Sequence, residues 1–526
     1  MKMKKVKNPV IWLIVVLLTG STGLWARGAQ EADVARTPPD TLVVAFPQDI
    51  LTFDPTVITA MPEEPRMMVF EQLYYVDERL VPQPHLAKSF ELSEDELTWT
   101  FHLREDVIFH DGQQMTSADV IASWGRFVEV GALARDFVNV EEVVAVDDFT
   151  VEFRLNSRFG QLLQNLGGGG GGTFAVFPEW VVNEIGTDDL VERRHLVGTG
   201  PYTVDEIVPE ERYLLRRFDG YNQPGGEPSF LAGNRYAPVE FVEIRVIPDP
   251  ATRVAALEAG DVDLIQYVPL DDAKRLDANP NTYVKVTSPG QRIYYKFNVN
   301  RGPFTDPLLR EAVRMAIDPE ALMLAVGDPE YTRVNHSMRY QEEQWMWSDV
   351  AWDYYKNDID RARELVSQSS YDGELIVFLT TPGRTVEFRT AVPMEQTLRD
   401  LGLNVEMRAV DGASWSVVRR DLDEWNIKHA GGGSVSGPMA LDFSVRDRTG
   451  AYWPGVPDEW KELMEIIAAE ASQDAIGAAI QRLHELHAEM NYELWIGEAL
   501  ELAGARNYVT NVPPWYKLVL WNIEKE

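Results

Sequence analysis

The chain has 526 residues, of which 45% are hydrophobic and 10% aromatic, and its formal net charge at pH 7 is −34. A chain of this length and apolar content can bury the cores of two or three lobes, which excludes a general disorder of the chain. The strong acidity excludes nucleic acid as a partner, because nucleic-acid binding needs a basic surface, and the absence of cysteine excludes disulfides and thiolate metal sites.

The first residues have the layout of a signal peptide. Lysines at positions 2, 4, 5 and 7 precede an apolar run from Val10 to Leu18, and small residues follow around Gly20. The run is too short to span a bilayer, which needs about 20 apolar residues. We therefore predict that residues 1–28 are a signal peptide cleaved after Gly28, and that the mature protein is periplasmic or otherwise extracytoplasmic. An uncleaved membrane anchor is the alternative.

Residues 86–124 predict two strands, a turn and the start of a helix. Apolar and polar residues alternate over residues 98–104, which is the period of a half-buried strand. Asp111 begins an Asp-Gly turn, and Thr116 followed by Asp119 has the spacing of a helix capping box. These patterns predict local structure and indicate no function by themselves.

Further along the chain, the hydrophobic pattern predicts alternating strands and helices. Residues 143–155 predict a hairpin that turns at Asp147, and residues 242–264 predict a strand–helix–strand unit with its helix at Pro250–Glu258. Such units are typical of α/β lobes with parallel strands. Other strands are predicted at residues 41–46, 375–379 and 405–410, and other helices at residues 309–317, 361–365 and 395–401.

Three local motifs favour a structural interpretation. The glycine run at residues 167–172 matches a dinucleotide fingerprint only trivially, and we predict a loop there, followed by a strand at residues 173–177. His110 lacks the further ligands that a metal site needs. His484 and His487 are three residues apart, whereas the zinc-protease motif needs four, so we predict that they lie on a solvated face of one long helix over residues 463–490.

The segment at residues 86–124 resembles the signature of the family 5 extracellular solute-binding proteins, which are the peptide, nickel and oligosaccharide receptors of ABC importers. Three later passages resemble the same family, namely the GTGPY of residues 198–202, the AALEAGDVD of residues 255–263 and the passage at residues 294–318. The resemblance implies an α/β fold of the periplasmic-binding-protein-like type II, in which two main lobes and an extra lobe surround a cleft.

The resemblance also implies how the chain divides and what it does. Lobe I takes residues 29–68, 196–290 and 493–526, lobe II takes residues 69–195, and lobe III takes residues 291–492. A solute that touches both sides of the cleft favours the closed state. The implied protein is a monomeric substrate-binding protein that delivers a peptide or peptide-like solute to ABC importer permease subunits, with no catalysis, no cofactor and no metal.

Peptide-binding members of that family carry an acidic loop late in lobe III, whose Asp pairs with the peptide α-amino group. The corresponding stretch here is Ala430–Pro438, and its acidic positions fall on Ser434 and Gly437. A buried ammonium needs a compensating charge, so this difference argues against a free peptide N-terminus unless Asp442 takes the role. The resemblance implies a ligand site made of Phe53, Tyr294, Trp415, Gly432, Gly433, Ser434 and Ser436.

Two alternative functions remain open. Trp415, Trp425 and Trp453 flank the loop, and aromatic rings stack on sugars, so an oligosaccharide-binding receptor of the same family is the alternative. Most tryptophans are nevertheless core residues. A secreted hydrolase is the distant alternative, because the 83 acidic residues create carboxylate pairs by chance and no motif selects one of them.

Overall fold

The computed structural model describes residues 40–57, 62–168, 173–432, 445, 452–515 and 517–526. Residues 40–526 form one compact unit. The predicted signal peptide and the glycines at positions 169–172 lie outside the described residues. Within the described ranges, no helix is both long and apolar enough to cross a membrane.

The strands are β1 (Thr41–Phe46), β2 (Tyr74–Val76), β3 (Pro82–Pro84), β4 (Ala87–Leu92), β5 (Thr98–Leu103), β6 (Val140–Asp147), β7 (Thr150–Leu155), β8 (Tyr202–Val208), β9 (Arg212–Arg217), β10 (Phe241–Val246), β11 (Leu264–Ile265), β12 (Thr282–Phe297), β13 (Thr332–Val334), β14 (Ile376–Thr380), β15 (Val405–Ala409), β16 (Ile427–Gly432), β17 (Glu493–Arg506), β18 (Val509–Thr510) and β19 (Glu524–Lys525).

The α-helices are α1 (Glu64–Met67), α2 (Ser117–Val130), α3 (Leu162–Gly167), α4 (Glu179–Ile185), α5 (Pro250–Ala259), α6 (Leu270–Asp277), α7 (Pro307–Ala316), α8 (Pro319–Val326), α9 (Ile359–Gln368), α10 (Thr385–Phe388), α11 (Ala391–Asp400), α12 (Gly412–Val418), α13 (Asp458–Ala469) and α14 (Gln473–Met490). Short 3₁₀ turns span Ala134–Phe137, Arg193–His195, Pro303–Thr305 and Trp352–Tyr354.

The main sheet is mixed and has the strand order β15-β14-β16-β12-β17-β11-β1-β10-β9-β8, with β13 paired to β17. Strand β1 is parallel to β10 on one side and to β11 on the other. All six residues of β1 are buried, as expected of a parallel strand covered on both faces. The α/β class predicted from the sequence is confirmed.

Strands β12 and β17 connect the two halves of this sheet. They are antiparallel, and their register shifts between Thr287 and Gln291, so that residues 288–290 lie opposite Leu500. An irregularity of this kind bends a strand. Gly290 permits it, because a Cβ atom there would come within 1.9 Å of the Ala499 carbonyl oxygen. The predicted boundary between lobes I and III, at residue 290, falls on this bend.

A second sheet, with the antiparallel order β4-β5-β7-β6, has a core of its own. Trp124 of α2 packs against Phe153 of β7 with ring centroids 5.1 Å apart. The capping box of α2 is present, since the Thr116 backbone N–H donates to the Asp119 carboxylate over 2.8 Å. The predicted hairpin and helix start are therefore confirmed.

His110 joins the signature segment to the GTGPY turn. Its backbone N–H donates to the Gly198 carbonyl over 2.9 Å, its Nδ1 accepts the Gly198 N–H over 3.2 Å, and its Nε2 lies 2.9 Å from the Gly200 carbonyl. Burial lowers the pKa of His110 to about 4, so the ring is neutral at pH 7. Within the described residues, no three His, Asp or Glu side chains are grouped to hold a metal.

A buried polar network surrounds Glu71, which is 1% exposed. Its carboxylate accepts hydrogen bonds from Thr199 of the same GTGPY turn over 2.9 Å and from Tyr221 over 2.9 Å. His85 lies 2.6 Å from it, and the Arg235 guanidinium lies 3.1 Å from it. The GTGPY turn is thus held by Glu71 through Thr199, in addition to its contacts with His110 of the signature segment.

Three sequence predictions are wrong in detail. The helical pattern at residues 463–490 is broken at residues 470–472, where Ser472 caps α14 by accepting the Ala475 N–H, so two helices replace one. His484 and His487 are buried rather than solvated, because the segment around Met346 and the start of β17 cover this face of α14. Residues 173–177 are buried without forming a strand.

The segment before α3 contacts the end of α13. The Gly160 N–H donates to the Ala468 carbonyl over 3.2 Å, and the Gln161 side chain donates to the Ile467 carbonyl over 3.0 Å. A Cβ atom at Gly160 would lie 1.7 Å from the Glu470 carbonyl oxygen. The contact joins the ranges predicted for lobes II and III, and it depends on a residue without a side chain.

Candidate functional site

A cavity of about 640 Å³ opens beside β12, β16 and α12, and we call it the cationic pocket. Its aromatic lining consists of Tyr294, Trp415, Trp425 and Trp453. Its charged lining consists of Lys296, Arg384, Arg419, Arg420 and Lys428. No Asp or Glu is among the described residues that line it. The lining therefore combines aromatic surface with positive charge.

The pairing of β12 with β16 places part of this lining. In the antiparallel register, Tyr294 lies opposite Ala430 and Lys296 lies opposite Lys428. Residues two apart on a strand share a face, so these four residues lie on one face of the sheet. The 7-residue helix α12 contributes Trp415, and Arg419 with Arg420 follows directly after this helix.

The two opposed lysines have different partners. The Lys296 ammonium lies 2.9 Å from the Glu493 carboxylate, and both side chains are largely buried. Against the effect of its burial, Lys296 and His487 lower the pKa of Glu493 to about 2, so Glu493 is ionised and compensates Lys296. In the described part of the chain, Lys428 has no carboxylate partner and donates instead to the Arg419 carbonyl oxygen over 2.9 Å.

The ammonium of Lys428 also lies 4.2 Å from the centre of the Trp425 ring. Burial is the largest cause that lowers its pKa, and the charges of Lys296 and Arg419 add to the effect, while Glu493 opposes it. The resulting pKa of Lys428 is about 7. A negative charge placed next to the Lys428 ammonium would raise this pKa again.

A smaller cavity of about 390 Å³ adjoins the bend of β12, and we call it the hinge cavity. It is lined by Gln48 and Tyr267 from the predicted lobe I and by Gln291 and Val386 from the predicted lobe III, together with Glu501. One carboxylate oxygen of Glu501 is buried with no hydrogen-bond partner in the described structure. Burial and then the charge of Glu64 raise the pKa of Glu501 well above its usual value.

A short chain of contacts joins the two cavities. Gln291 donates to the Glu387 carboxylate over 2.9 Å, and Glu387 pairs with Arg384 at 2.6 Å. Arg384 also donates to the Gly431 carbonyl at the end of β16. A larger cavity of about 750 Å³ has its described lining within residues 227–238, 283–285 and 511–524, which all fall in the predicted lobe I.

The structure brings together two of the residues that the sequence predicted for the site. Tyr294 and Trp415 both line the cationic pocket. Tyr294 stacks on Trp495 with ring centroids 4.0 Å apart, and Trp415 packs against His429 at 4.9 Å. Both rings are therefore held by a second ring, which fixes their orientation.

The other predicted site residues have different locations. Phe53 is 3% exposed, packs against Tyr213 and does not line this pocket. Gly432 ends β16 and pairs with Arg292. The three positions Gly433, Ser434 and Ser436 lie outside the described residues, and so does Asp442.

Sequence reasoning missed the cationic residues of the pocket. Lys296 stands two positions after Tyr294, and this period-2 spacing already places both on one face of a strand. The role of Lys428 had no such signal, because its neighbour Lys296 is distant in the sequence and only the strand register brings the two together. Arg419 and Arg420 gave the weak signal of two adjacent charges beyond a helix.

Comparisons with known proteins agree on one family. Residues 81–444 match the family described as "Bacterial extracellular solute-binding proteins, family 5 Middle". A probable peptide ABC transporter periplasmic-binding protein of Sinorhizobium fredii is 24% identical over 507 residues, which are 91% of this chain and 92% of that protein. A glutathione-binding protein of Escherichia coli K12 is 26% identical over 385 residues, which are 70% of this chain and 69% of that protein.

Solved structures show the same fold. The substrate-binding protein CtaP of Listeria monocytogenes has a TM-score of 0.78 at 20% identity and covers 91% of this chain and 97% of that one. NikA of Brucella suis, in complex with Fe(III)-EDTA, has a TM-score of 0.78 at 20% identity and covers 92% of this chain and 100% of that one. The predicted fold of a periplasmic binding protein is thereby confirmed.

Proposed function

The match over residues 81–444 shows that the chain belongs to the family 5 bacterial extracellular solute-binding proteins. From this premise we propose that it captures a peptide or peptide-like solute for an ABC importer. It works outside the cytoplasm, closes its lobes on the solute and presents the closed form to the permease subunits. It binds its ligand and catalyses no reaction.

The bend of β12 beside the hinge cavity is the observation that carries this proposal. The register of β12 and β17 shifts at residues 288–290, and the hinge cavity at this point is lined by residues of the predicted lobes I and III. A solute placed there touches both lobes and stabilises the state in which they are close. The cationic pocket adjoins this point through Arg384 and Glu387.

A peptide-like solute is favoured by the names of two relatives, which are a peptide-binding and a glutathione-binding protein. An oligosaccharide is the second candidate. It is favoured by Trp415, Trp425 and Trp453, which line one pocket and offer flat apolar surface to sugar rings. A secreted hydrolase is not favoured, because no carboxylate pair lines the cationic pocket among its described residues.

Native mass spectrometry of the exported protein tests the proposal, because a receptor of this kind retains its solute during purification. Calorimetry against di- to pentapeptides and oligosaccharides then ranks the solutes, and small-angle scattering measures closure as a smaller radius of gyration. A protein that carries no solute, binds no compound of either class and keeps its radius of gyration contradicts the proposal.

Further parts of the proposal concern processing and assembly. We infer that the signal peptide is removed after Gly28, that the lobes take the ranges predicted above, and that the mature protein is a monomer. N-terminal sequencing of the exported protein tests the first inference, limited proteolysis tests the lobe boundaries, and sedimentation tests the last. A mature N-terminus at Met1 contradicts the export route.

A further inference from the structure

The charge distribution of the cationic pocket points to the chemical class of the solute. We propose that the solute is an anion whose carboxylate groups are bound in the cationic pocket by Lys428 and Arg420, as in an acidic peptide or a peptide-like acid. This inference rests on the proposed function and specifies the solute of the same site.

The first argument is the sign of the charge. The chain as a whole has a formal net charge of −34, with 83 acidic and 49 basic residues. The described lining of the cationic pocket nevertheless contains five basic residues and no acidic one. A concave site lined by one sign of charge concentrates the field and attracts ligands of the opposite sign. A cationic or zwitterionic solute gains less from this lining than an anion does.

The second argument is the distribution of compensating charge. Lys296 has Glu493 as its partner and Arg384 has Glu387, so the protein itself neutralises these two cations. Within the described residues, Lys428 makes no ion pair and neither does Arg420. In the described part of the lining, these two side chains are therefore cations that a solute can pair with.

The third argument is the loss of folding stability caused by two lysines that face each other. Lys296 and Lys428 lie directly opposite each other on neighbouring strands, and like charges in such a pair are destabilising. Folding alone does not favour a second lysine at this position. Sequences break a local rule of this kind at functional sites, where the ligand supplies the missing interaction. An anion beside Lys428 adds an attraction that offsets this repulsion.

The fourth argument is the environment of the charges. Trp425 is 2% exposed and Trp453 is 5% exposed, and their indole N–H groups have no acceptor in the described structure. The Lys296 ammonium lies 4.3 Å from the Trp453 ring and the Lys428 ammonium 4.2 Å from the Trp425 ring. A charge pair formed at Lys428, beside the buried Trp425 ring, is less screened than in bulk water. Carboxylates are acceptors only, and this lining is rich in donors.

The test uses matched solutes and matched variants. Calorimetry compares the tripeptides Ala-Glu-Ala, Ala-Gln-Ala and Ala-Lys-Ala, each as free acid and as C-terminal amide, with maltotriose and trigalacturonate as the sugar pair. We expect Ala-Glu-Ala free acid or trigalacturonate to bind at least about tenfold more tightly than its neutral counterpart, which corresponds to about 1.4 kcal/mol. Added salt should weaken the anion more than the neutral solute.

Two variants assign the effect to the pocket. We expect Lys428→Gln to weaken the best anion about tenfold and Arg420→Gln, whose side chain is exposed, about threefold, with little effect on a neutral solute. Arg135→Gln is the control, because this arginine is 82% exposed and lies outside the pocket. Melting curves show that each variant is folded.

The outcomes separate the inference from the proposed function. Tight binding of a neutral or cationic solute, unchanged by Lys428→Gln, overturns the anionic solute and leaves the receptor function intact. Binding of no peptide and no sugar, together with no solute in native mass spectrometry, contradicts the receptor function itself. A preference for the anion that is lost in Lys428→Gln supports both.

Discussion

The buried network around Glu71 allows a quantitative prediction for Glu71→Gln, which removes one charge and keeps the shape of the side chain. Arg235 is 0% exposed and lies between the rings of Tyr75 and Trp521, at 4.0 and 4.3 Å from their centres. Glu71 is the carboxylate that compensates it, at 3.1 Å. His85 adds no second positive charge at pH 7, because burial lowers its pKa to about 4 and the neutral ring donates its Nε2–H to Glu71.

The expected loss of stability follows from the buried charge that remains. Removing one partner of a buried ion pair costs about 3–5 kcal/mol. Unfolding of residues 40–526 changes the entropy by about 1 kcal/mol/K, at about 2.1 cal/mol/K per residue. The melting temperature of Glu71→Gln should therefore fall by about 3–5 °C if the unit unfolds in one transition.

The pH dependence of this loss has a defined sign. Burial on its own would raise the pKa of Glu71, but His85, Arg235 and Tyr221 lower it to about 2. A carboxylate with a lowered pKa contributes its full stability above its unfolded pKa, and the contribution is lost as the pH falls toward about 2. The difference between the wild type and Glu71→Gln should be largest at neutral pH and shrink below about pH 4.5.

Differential scanning calorimetry at several pH values checks this prediction. The matched control is Glu105→Gln, because Glu105 is 64% exposed and its partner Lys88 is 49% exposed. An exposed pair of this kind contributes about 0–1 kcal/mol, so the control should melt within about 1 °C of the wild type. A Glu71→Gln variant that melts with the control at pH 7 would refute the reasoning, and would show that the aromatic rings and carbonyl acceptors suffice for Arg235.

Four further predictions concern the cleft and its lobes. Burial and the charges of Lys296 and Arg419, opposed by Glu493, give Lys428 a pKa of about 7, and a bound anion raises this pKa. The affinity for an anion should therefore be highest below pH 7 and decline above it, because binding then requires the uptake of a proton. Calorimetry should find no such decline in Lys428→Arg. Ser434→Asp should weaken the native solute by adding a carboxylate to the predicted site, and admission of free peptides by the wild type would instead point to Asp442. Gly160→Val should hinder the contact with Glu470 and enlarge the radius of gyration of the solute-bound form, whereas Gly125→Val, at an exposed helical position with open space, should leave it unchanged. Because the pKa of Glu501 is raised in the folded protein, the folded state loses stability as the pH rises above the unfolded pKa of this carboxyl group. Glu501→Gln should therefore have a higher melting temperature than the wild type at pH 8 and the same melting temperature at pH 4. Equal melting temperatures at both pH values would show that the carboxyl group is solvated.

The elements with a strong local pattern could be predicted from the sequence. The helix predicted at Pro250–Glu258 is found at Pro250–Ala259, because Pro at the first position, the Asp249 cap and Gly260 mark its two ends. The strand at residues 41–46 is found as predicted, since a short apolar run suffices for a buried parallel strand. Such elements are fixed by their capping residues and by the period of their hydrophobic pattern.

What the sequence left open depends on partners far along the chain. His484 is buried because its ring bonds to the Met346 carbonyl, 138 residues away, and no helical pattern contains that information. Lys428 is placed opposite Lys296 by the register of β12 and β16, and a register cannot be read from either strand alone. The sequence therefore predicted two aromatic residues of the candidate site, Tyr294 and Trp415, but none of its basic residues.

The position of β17 has a consequence for the order in which the molecule can be built. Strand β17 lies between β12 and β11, so without it the main sheet falls into two separate pieces. Ribosomes add about 5–20 residues per second, and the residues of β17 begin at Glu493, after almost the whole chain has emerged. The sheet β4-β5-β7-β6 joins strands that are close in sequence and can form early, while pairings as distant as Thr41 with Phe241 form slowly. The nascent chain thus carries its main sheet unfinished until synthesis is nearly complete.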